Sequence, residues 1–392
     1  MATAAEPLRY RVAILGGGVG ADHLEGWLTL GDRFRVVAIC DIDRERAERL
    51  AARANRAGGR GTRRISGTVG ASRITGDIAS VLADPEVDIV DICLPPALHA
   101  SVATDALRAG KHVICEKPFA GCLDAADRLA EEARAAGRLL VPVFQYRFGP
   151  GIAALRRLQA DGLAGTALAG SLETHWDRRA GYYRNSWRGR WDGELGGAVL
   201  THAIHIHDLA TGIAGPVTEL SAFASTRVNP VETEDCAAIC MMTASGTMLT
   251  SSITLGASRD RSRLRLIFEG LTAESGTAPY DPGGMGWRFT ARATEHQDRV
   301  DRLVAESGGV DTVMQRGYAG LFKAVADSLD GLDDGDRCPL PTPSDGVASI
   351  ELVSAIYQAA RSGERVRLPL DRDLPICRTL APVMPAGDPS GG

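Results

Sequence analysis

Few folds accept the order of elements that opens this chain. An apolar run, Val12-Ala13-Ile14-Leu15, enters Gly16-Gly17-Gly18-Val19-Gly20-Ala21, and a second apolar run, Val36-Val37-Ala38-Ile39-Cys40, stops at Asp41. Strand, glycine turn, helix, strand and acid in this order predict a βαβ unit that holds a dinucleotide. Gly16 permits the tight turn, and Gly18, without a Cβ, lets the backbone approach a pyrophosphate. Ala21 is expected to let the helix pack close to the sheet, while Val19 and Gly20 open that helix and aim its N–H groups at the phosphates. Asp41 would accept hydrogen bonds from the adenosine ribose and repel a 2′-phosphate, which favours NAD over NADP. The competing reading is an ordinary βαβ turn without a ligand.

With 392 residues the chain can build two cored domains. The formal charge of −5 has no block of like charge behind it, which argues against nucleic acid or an anionic membrane as partner. No stretch is apolar and long enough for a membrane span, and the N-terminus lacks a signal-peptide core. The eight cysteines are scattered, with no CxxC pair, so neither a zinc site nor a disulfide framework is expected. A reduced cytoplasm fits that usage. The Arg-rich segment 53–73, also rich in Gly and Ser, reads as a solvated loop.

From residue 8 to 147 short apolar runs alternate with helical stretches, which predicts a parallel sheet. After Gly149 strand-like segments follow one another near 167–176, 217–227, 236–243, 246–255 and 263–270, which predicts a mainly antiparallel sheet. A helix over 348–362 closes this second domain (148–372), and 373–392 reads as a loose Pro- and Gly-rich tail. The expected class is α/β: a dinucleotide-binding domain joined to an α+β domain with an open-faced sheet.

Four places carry chemistry. The first is the glycine turn, with Asp41 and Arg44 beyond it. The second is Leu94-Pro95-Pro96-Ala97-Leu98-His99, a rigid turn; Leu94, Pro96 and His99 are expected beside the cofactor. The third is Glu116-Lys117-Pro118, directly after a strand. Pro118 biases Lys117 towards extended backbone, and an ammonium there could steady a developing alkoxide. Most lysines are plain surface residues, so position alone singles this one out. The fourth is the run from Gly196-Gly197 to Thr201-His202-Ala203-Ile204-His205-Ile206-His207-Asp208. On a helix His202 and His205 lie one turn apart, and His205 could exchange a proton with a substrate hydroxyl. Metal binding by His202, His205 and Asp208, or a helix that merely buries satisfied polar groups, are the other readings.

Trp176, Tyr183, Trp187 and Arg188 fall in a stretch where three tryptophans and two tyrosines interleave with arginines within sixteen residues. That composition suits a sugar-stacking wall and equally suits loop anchors or a subunit contact. Gln145 and Arg147, at the last strand of the first domain, are further pocket candidates.

These motifs resemble the Gfo/Idh/MocA oxidoreductases, the glucose–fructose oxidoreductase and inositol dehydrogenase group, over residues 8 to about 370. The likeness rests on the opening fingerprint, on Ala109-Gly110-Lys111-His112-Val113 leading to Glu116-Lys117-Pro118, and on Gly196-Gly197 leading to His205 and Asp208. Ser349-Ile350-Glu351-Leu352 through Leu368-Pro369-Leu370 completes it. The resemblance implies a Rossmann domain, a nicotinamide cofactor and hydride exchange with a sugar or cyclitol hydroxyl. It implies a homodimer or homotetramer built on the open sheet face. Lys117 corresponds to that family's catalytic lysine and His205 to its catalytic histidine. The family usually has an aspartate four residues before that histidine; here stands Thr201. His202 could fill part of that gap, or other chemistry, such as an NAD-retaining glycoside hydrolase or epimerase, could have replaced plain dehydrogenation. A non-catalytic sugar- or NAD-sensing regulator is the alternative outside enzymes.

Overall fold

The computed structural model of the protein describes residues 10–58, 72–307, 316–332 and 339–382. The first domain runs β1 (Tyr10–Leu15), α1 (Gly20–Thr29), β2 (Phe34–Cys40), α2 (Arg44–Gly58), β3 (Arg73–Thr75), α3 (Ile78–Leu82) and β4 (Ile89–Ile92). It continues with α4 (His99–Arg108), β5 (His112–Cys115), α5 (Leu123–Ala136) and β6 (Leu140–Pro142). The strands form one parallel sheet in the order β3-β2-β1-β4-β5-β6. Its inner strands are buried on both sides, and apolar there apart from Asp91, because helices cover both faces. The order reverses between β1 and β4, and the strand ends there open a crevice where ligands of such sheets bind.

The second domain begins with α6 (Pro150–Ala160) and β7 (Ala167–Asp177). A π-helical turn (Val199–Ala203) then leads into α7 (Ile204–Ala214). It proceeds through β8 (Val217–Ser225), β9 (Cys236–Thr243), β10 (Met248–Thr254), β11 (Gly256–Phe268), β12 (Leu271–Glu274) and β13 (Arg288–Ala291). It ends with α8 (Gln297–Ser307), α9 (Gly317–Leu329), α10 (Pro343–Ser362) and β14 (Val366–Arg367). The eight strands order as β13-β12-β11-β7-β10-β9-β8-β14, antiparallel except for β7 beside β10. The sheet is therefore mixed, with one parallel pair. Alternation along β9 and β10 buries Ile239, Met241, Leu249 and Ile253 and leaves Met242 and Met248 facing outwards.

Several elements depart from the sequence reading. Strand β11 starts at Gly256 because its polar first half, Arg259 to Arg263, extends along β7 beyond the apolar core and carries no alternation to read. The capping box of Thr342 and Asp345 starts α10 at Pro343. Helix α9 docks on the first domain, with Phe322 stacked on Trp27 of α1 at 3.6 Å between ring centroids. In the expected loose tail, Ile376, Cys377 and Leu380 are buried and Arg361 donates to the Leu380 carbonyl, so residues 373–382 pack on the domain; 383–392 lie outside the described residues. Of the expected solvated loop, Arg53 lies in α2 and Arg73 begins β3, while 59–71 lie outside the described residues.

Candidate active site

The glycine turn is shaped by contacts a side chain would break. Gly16 has φ 94°, and a Cβ there would lie 2.4 Å from the Cys93 carbonyl oxygen. A Cβ on Gly18 would meet nothing within 4 Å, so that backbone is open to a ligand. The close packing assigned to Ala21 belongs to Gly20, whose Cβ would come within 2.8 Å of Ile14. Asp41 closes β2 and accepts hydrogen bonds from the Gly17 N–H (2.6 Å) and the Asp43 N–H (2.7 Å). Arg44 is not beside it: that exposed side chain turns to Glu48. Arg46, one helical turn inside α2, takes the place instead, 3.6 Å from Asp41 and bonded to Asp43. These features fit a dinucleotide at the β1/β2 edge.

At the ends of β4 and β5 the turns lock together. The His99 ring lies 2.8 Å from the Leu94 carbonyl and 2.7 Å from the Pro118 carbonyl. Burial keeps this ring uncharged, so its single N–H donates to one of the two carbonyls while the ring wedges between the turns, and the expected cofactor contact is a structural brace. Glu116 is buried, and its Oε2 accepts the Lys117 N–H at 3.0 Å. The Lys117–Pro118 peptide is cis. From there the Lys117 ammonium crosses to the second domain and donates to the Thr201 carbonyl at 2.9 Å. Burial lowers the Lys117 pKa, against the pull of Glu116.

Thr201 sits in the π-turn, which Glu234 holds in place. That carboxyl accepts from the Gly197 N–H (3.1 Å), the Val199 N–H (2.9 Å) and the Tyr357 hydroxyl (2.9 Å). Burial raises its pKa to about 7. Position 197 must be glycine, since a Cβ would fall 1.9 Å from the Glu234 carbonyl oxygen. The Thr201 hydroxyl lies 2.8 Å from the Gly197 carbonyl and 2.7 Å from His202 Nδ1. A hydroxyl has one hydrogen. Donating it to the carbonyl, Thr201 receives the Nδ1–H of His202, which leaves His202 Nε2 with a free lone pair. Burial, with the Lys117 charge behind it, pushes His202 well below its usual range and His205 down to about 3, so both imidazoles are neutral.

An aromatic and cationic wall surrounds these groups. Trp176 meets His202 edge-on at 5.0 Å, Tyr182 lies 5.6 Å from it, and Tyr146 stacks on His205 at 4.6 Å. Arg178 lies over Trp176 and pairs with Asp260 at 2.8 Å; Arg188 lies over Tyr182 and pairs with Glu194 at 3.0 Å. Both guanidiniums and Glu194 act electrostatically on Lys117. Trp187 supports the Arg188 guanidinium at 4.3 Å, and Tyr183 packs on Tyr182 behind it. Trp191 anchors a loop, donating to the Glu232 carbonyl.

Arg147 and Asp208 do not join the chamber as substrate groups. Arg147 grips Asp208, with Nε 2.8 Å from Oδ2, and also reaches Asp345 at 2.9 Å, so the pair ties α7 to the start of α10. With Asp208 so engaged, the His202–His205–Asp208 metal reading falls. Gln145 lines a cavity of about 380 Å³ between α1 and the second domain, with Tyr280, Arg316 and Tyr318, and its Oε1 is buried without a partner. Glu194, Glu234, Arg46 and Tyr146 are among the site residues that sequence reading passed over. Glu234 reaches Gly197 and Val199 across 37 and 35 positions, which no local pattern marks, while Glu194 accepts from the Gly189 N–H five residues back.

The site thus joins a Rossmann-type dinucleotide crevice to one ammonium and two neutral imidazoles. Comparison with known proteins agrees with the Rossmann reading. The model of the oxidoreductase family with an NAD-binding Rossmann fold matches residues 10–144, and the model of the GFO/IDH/MocA C-terminal domain matches residues 152–274. The chain belongs to the Gfo/Idh/MocA family. It is 32% identical over 256 residues to a D-apiose dehydrogenase of Paraburkholderia graminis, covering 62% of this chain and 60% of that protein. It is 30% identical over 209 residues to a D-glucoside 3-dehydrogenase of Escherichia coli, covering 52% of this chain and 54% of that one. The chain thus spans little more than half the length of these relatives. The fold is shared with the WlbA dehydrogenase of Bordetella pertussis, solved with NADH and UDP-GlcNAcA, with TM-score 0.75, 23% identity, and 93% of this chain and 100% of that one covered.

Proposed function

We propose that this chain is an NAD-dependent dehydrogenase of a secondary hydroxyl on a sugar, sugar derivative or cyclitol. The observation that carries the reading is the Lys117 ammonium, held on the Thr201 carbonyl beside two uncharged histidines. One hydroxyl needs a donor to its oxygen and an acceptor for its hydrogen, and this chamber offers both. Lys117 donates to the oxygen and stabilises negative charge on it. His205 accepts the proton. His202 Nε2 accepts from a neighbouring hydroxyl and fixes the ring's orientation, while Trp176 and Tyr182 face its apolar side. NAD, when bound, takes up the hydride that leaves the carbon. Gly16, Gly18, Val19 and Gly20 would hold its pyrophosphate, Asp41 its ribose, and Leu94, Pro96 and Glu116 would line its nicotinamide end.

The outer face of the second sheet supports a homo-oligomer. Phe223 (80% exposed), Met242 and Met248 project from it. The seven described cysteines are all unpaired and no described helix is long and apolar enough to cross a membrane; we place the protein in the cytoplasm.

The test is incubation of pure protein with NAD and a panel of polyols and sugars while following NADH absorbance. Reduction of NAD by a member of the panel supports the reading. Failure of every polyol to reduce NAD and of every keto-sugar to oxidise NADH sinks it. Turnover of a glycoside with bound cofactor that is never released would instead favour transient oxidation.

A further inference from the structure

Helix α1 carries a buried polar side chain that the site described above does not use. His23 is fully buried, and both ring nitrogens meet carboxylates. Nδ1 lies 2.9 and 3.1 Å from the two oxygens of Asp91, and Nε2 lies 3.0 Å from Glu116 Oε1. Asp91, an acid inside the otherwise apolar strand β4, also accepts from the Trp27 indole N–H at 2.8 Å. The remaining titratable groups facing the ring are the Cys93 thiol, 3.4 Å from Nδ1, and the Tyr318 hydroxyl of α9, which reaches Glu116. Tyr318 and Phe322 pack on the ring itself.

Both contacts lie at hydrogen-bond distance. Between two ionised carboxylates a neutral imidazole, with its single N–H, would turn a lone pair against one of them. The imidazolium satisfies both. Burial opposes that charge, but Asp91 outweighs it and holds His23 protonated well above its usual range, while Glu116 is pushed down to about 2. His23, Asp91 and Cys93 also bring three donor atoms within 4.8 Å of one another, which is the spacing of a metal site. Here the histidine and aspartate atoms are spent on each other at hydrogen-bond distance, and burial pushes the thiol far above its usual pKa.

We infer that His23 is a positioning residue for the dehydrogenation: a buried imidazolium that bolts the cofactor-binding helix to Glu116 and thereby fixes the main chain of Lys117. The path is continuous. Helix α1 begins at the glycine turn, His23 holds Glu116 Oε1, and Glu116 Oε2 holds the Lys117 N–H. The inference rests on the reading of Lys117 as the group beside the reacting hydroxyl, and one arm of its test is independent of that reading.

That arm is nitrogen-15 NMR of histidine-labelled full-length protein without cofactor, between pH about 6 and about 9, the range where an ordinary histidine loses its charge. His23 is expected to keep both ring N–H signals throughout. A neutral ring, or stoichiometric zinc in the purified protein, overturns the inference even if sugars are oxidised. The second arm is a double-mutant cycle of His23→Gln and Glu116→Gln. His23→Gln should lower kcat roughly 10-fold or more with KM for the sugar little changed, the effect of a small misplacement of a reacting group. In the Glu116→Gln background the same change should cost less than about 2-fold, because its route to Lys117 is already cut. Equal losses in both backgrounds mean general loosening and overturn the inference. If His23→Gln does not fold, the NMR arm on the wild-type chain decides alone.

Discussion

The ammonium of Lys117 and the main-chain carbonyl of Thr201 meet at 2.9 Å, although 84 positions separate them in the chain. One residue leaves a strand of the parallel sheet and the other sits in the π-turn of the second domain. The contact brings the two domains to a single point.

The charge on Lys117 should appear in the pH profile. Its pKa is lowered, mainly by burial, so the ammonium is lost below the range of an exposed lysine. Since the protonated form is the active one, kcat should fall as pH rises through that lowered pKa. Lys117→Met should cut kcat by roughly 100- to 1,000-fold, the size seen when one donor to a developing oxyanion is removed. NADH affinity, followed by fluorescence titration, should stay within about 3-fold of wild type. Lys117→Arg keeps a charge at all usable pH and should abolish the alkaline limb while slowing turnover.

Thr201→Val removes the hydroxyl that sets the His202 tautomer. The Gly197 carbonyl and His202 Nδ1 then lose a shared partner worth about 1 kcal/mol. Steady-state kinetics should show KM for the sugar rising roughly fivefold, with a smaller change in kcat. A variant with unchanged KM would remove His202 from the substrate site.

Asp41→Ser tests the cofactor. Loss of the carboxylate should weaken NAD binding by about 10-fold. NADP should gain, because Arg46 would lose one of the carboxylates beside it and turn its charge to a 2′-phosphate. The ratio of kcat/KM for the two cofactors measures the change; an unaltered ratio would take Asp41 out of the ribose contact.

Glu234 links stability to pH. Its pKa rises from 4.5 unfolded to about 7 folded, so the folded state favours the protonated acid. Its contribution is fully present below about 4.5 and is lost as pH rises to about 7. The shift corresponds to about 3 kcal/mol at most. Asp208, raised to about 6, slopes the same way. Melting temperature of Glu234→Gln against wild type isolates the first effect: the difference between the two curves should change across that window and stay flat above it.

Much of this protein is legible without coordinates. The glycine turn, Asp41, Glu116-Lys117-Pro118 and the alternation of strand and helix follow from local rules, since a tight turn, a helix N-terminus and a buried strand each demand particular neighbours within a few residues. Other readings needed the fold. Arg147 and Asp208, read as pocket residues, grip each other instead, and Arg46 replaces Arg44 because the helical turn at the start of α2 aims one arginine at Asp41 and the other at solvent. Asp91 stands in an apolar strand, and its partner His23 lies 68 positions away.

The sequence by itself therefore determined the order of strands and helices and the shape of the glycine turn, because both are written in periodicity and backbone sterics over short spans. Only the tertiary structure decided how Thr201 serves where an aspartate is usual, which histidine nitrogen is free, and that His23 lies between two carboxylates. Those pairings join residues far apart in the chain, and a polar side chain's partner depends on where the chain returns, which no local pattern encodes.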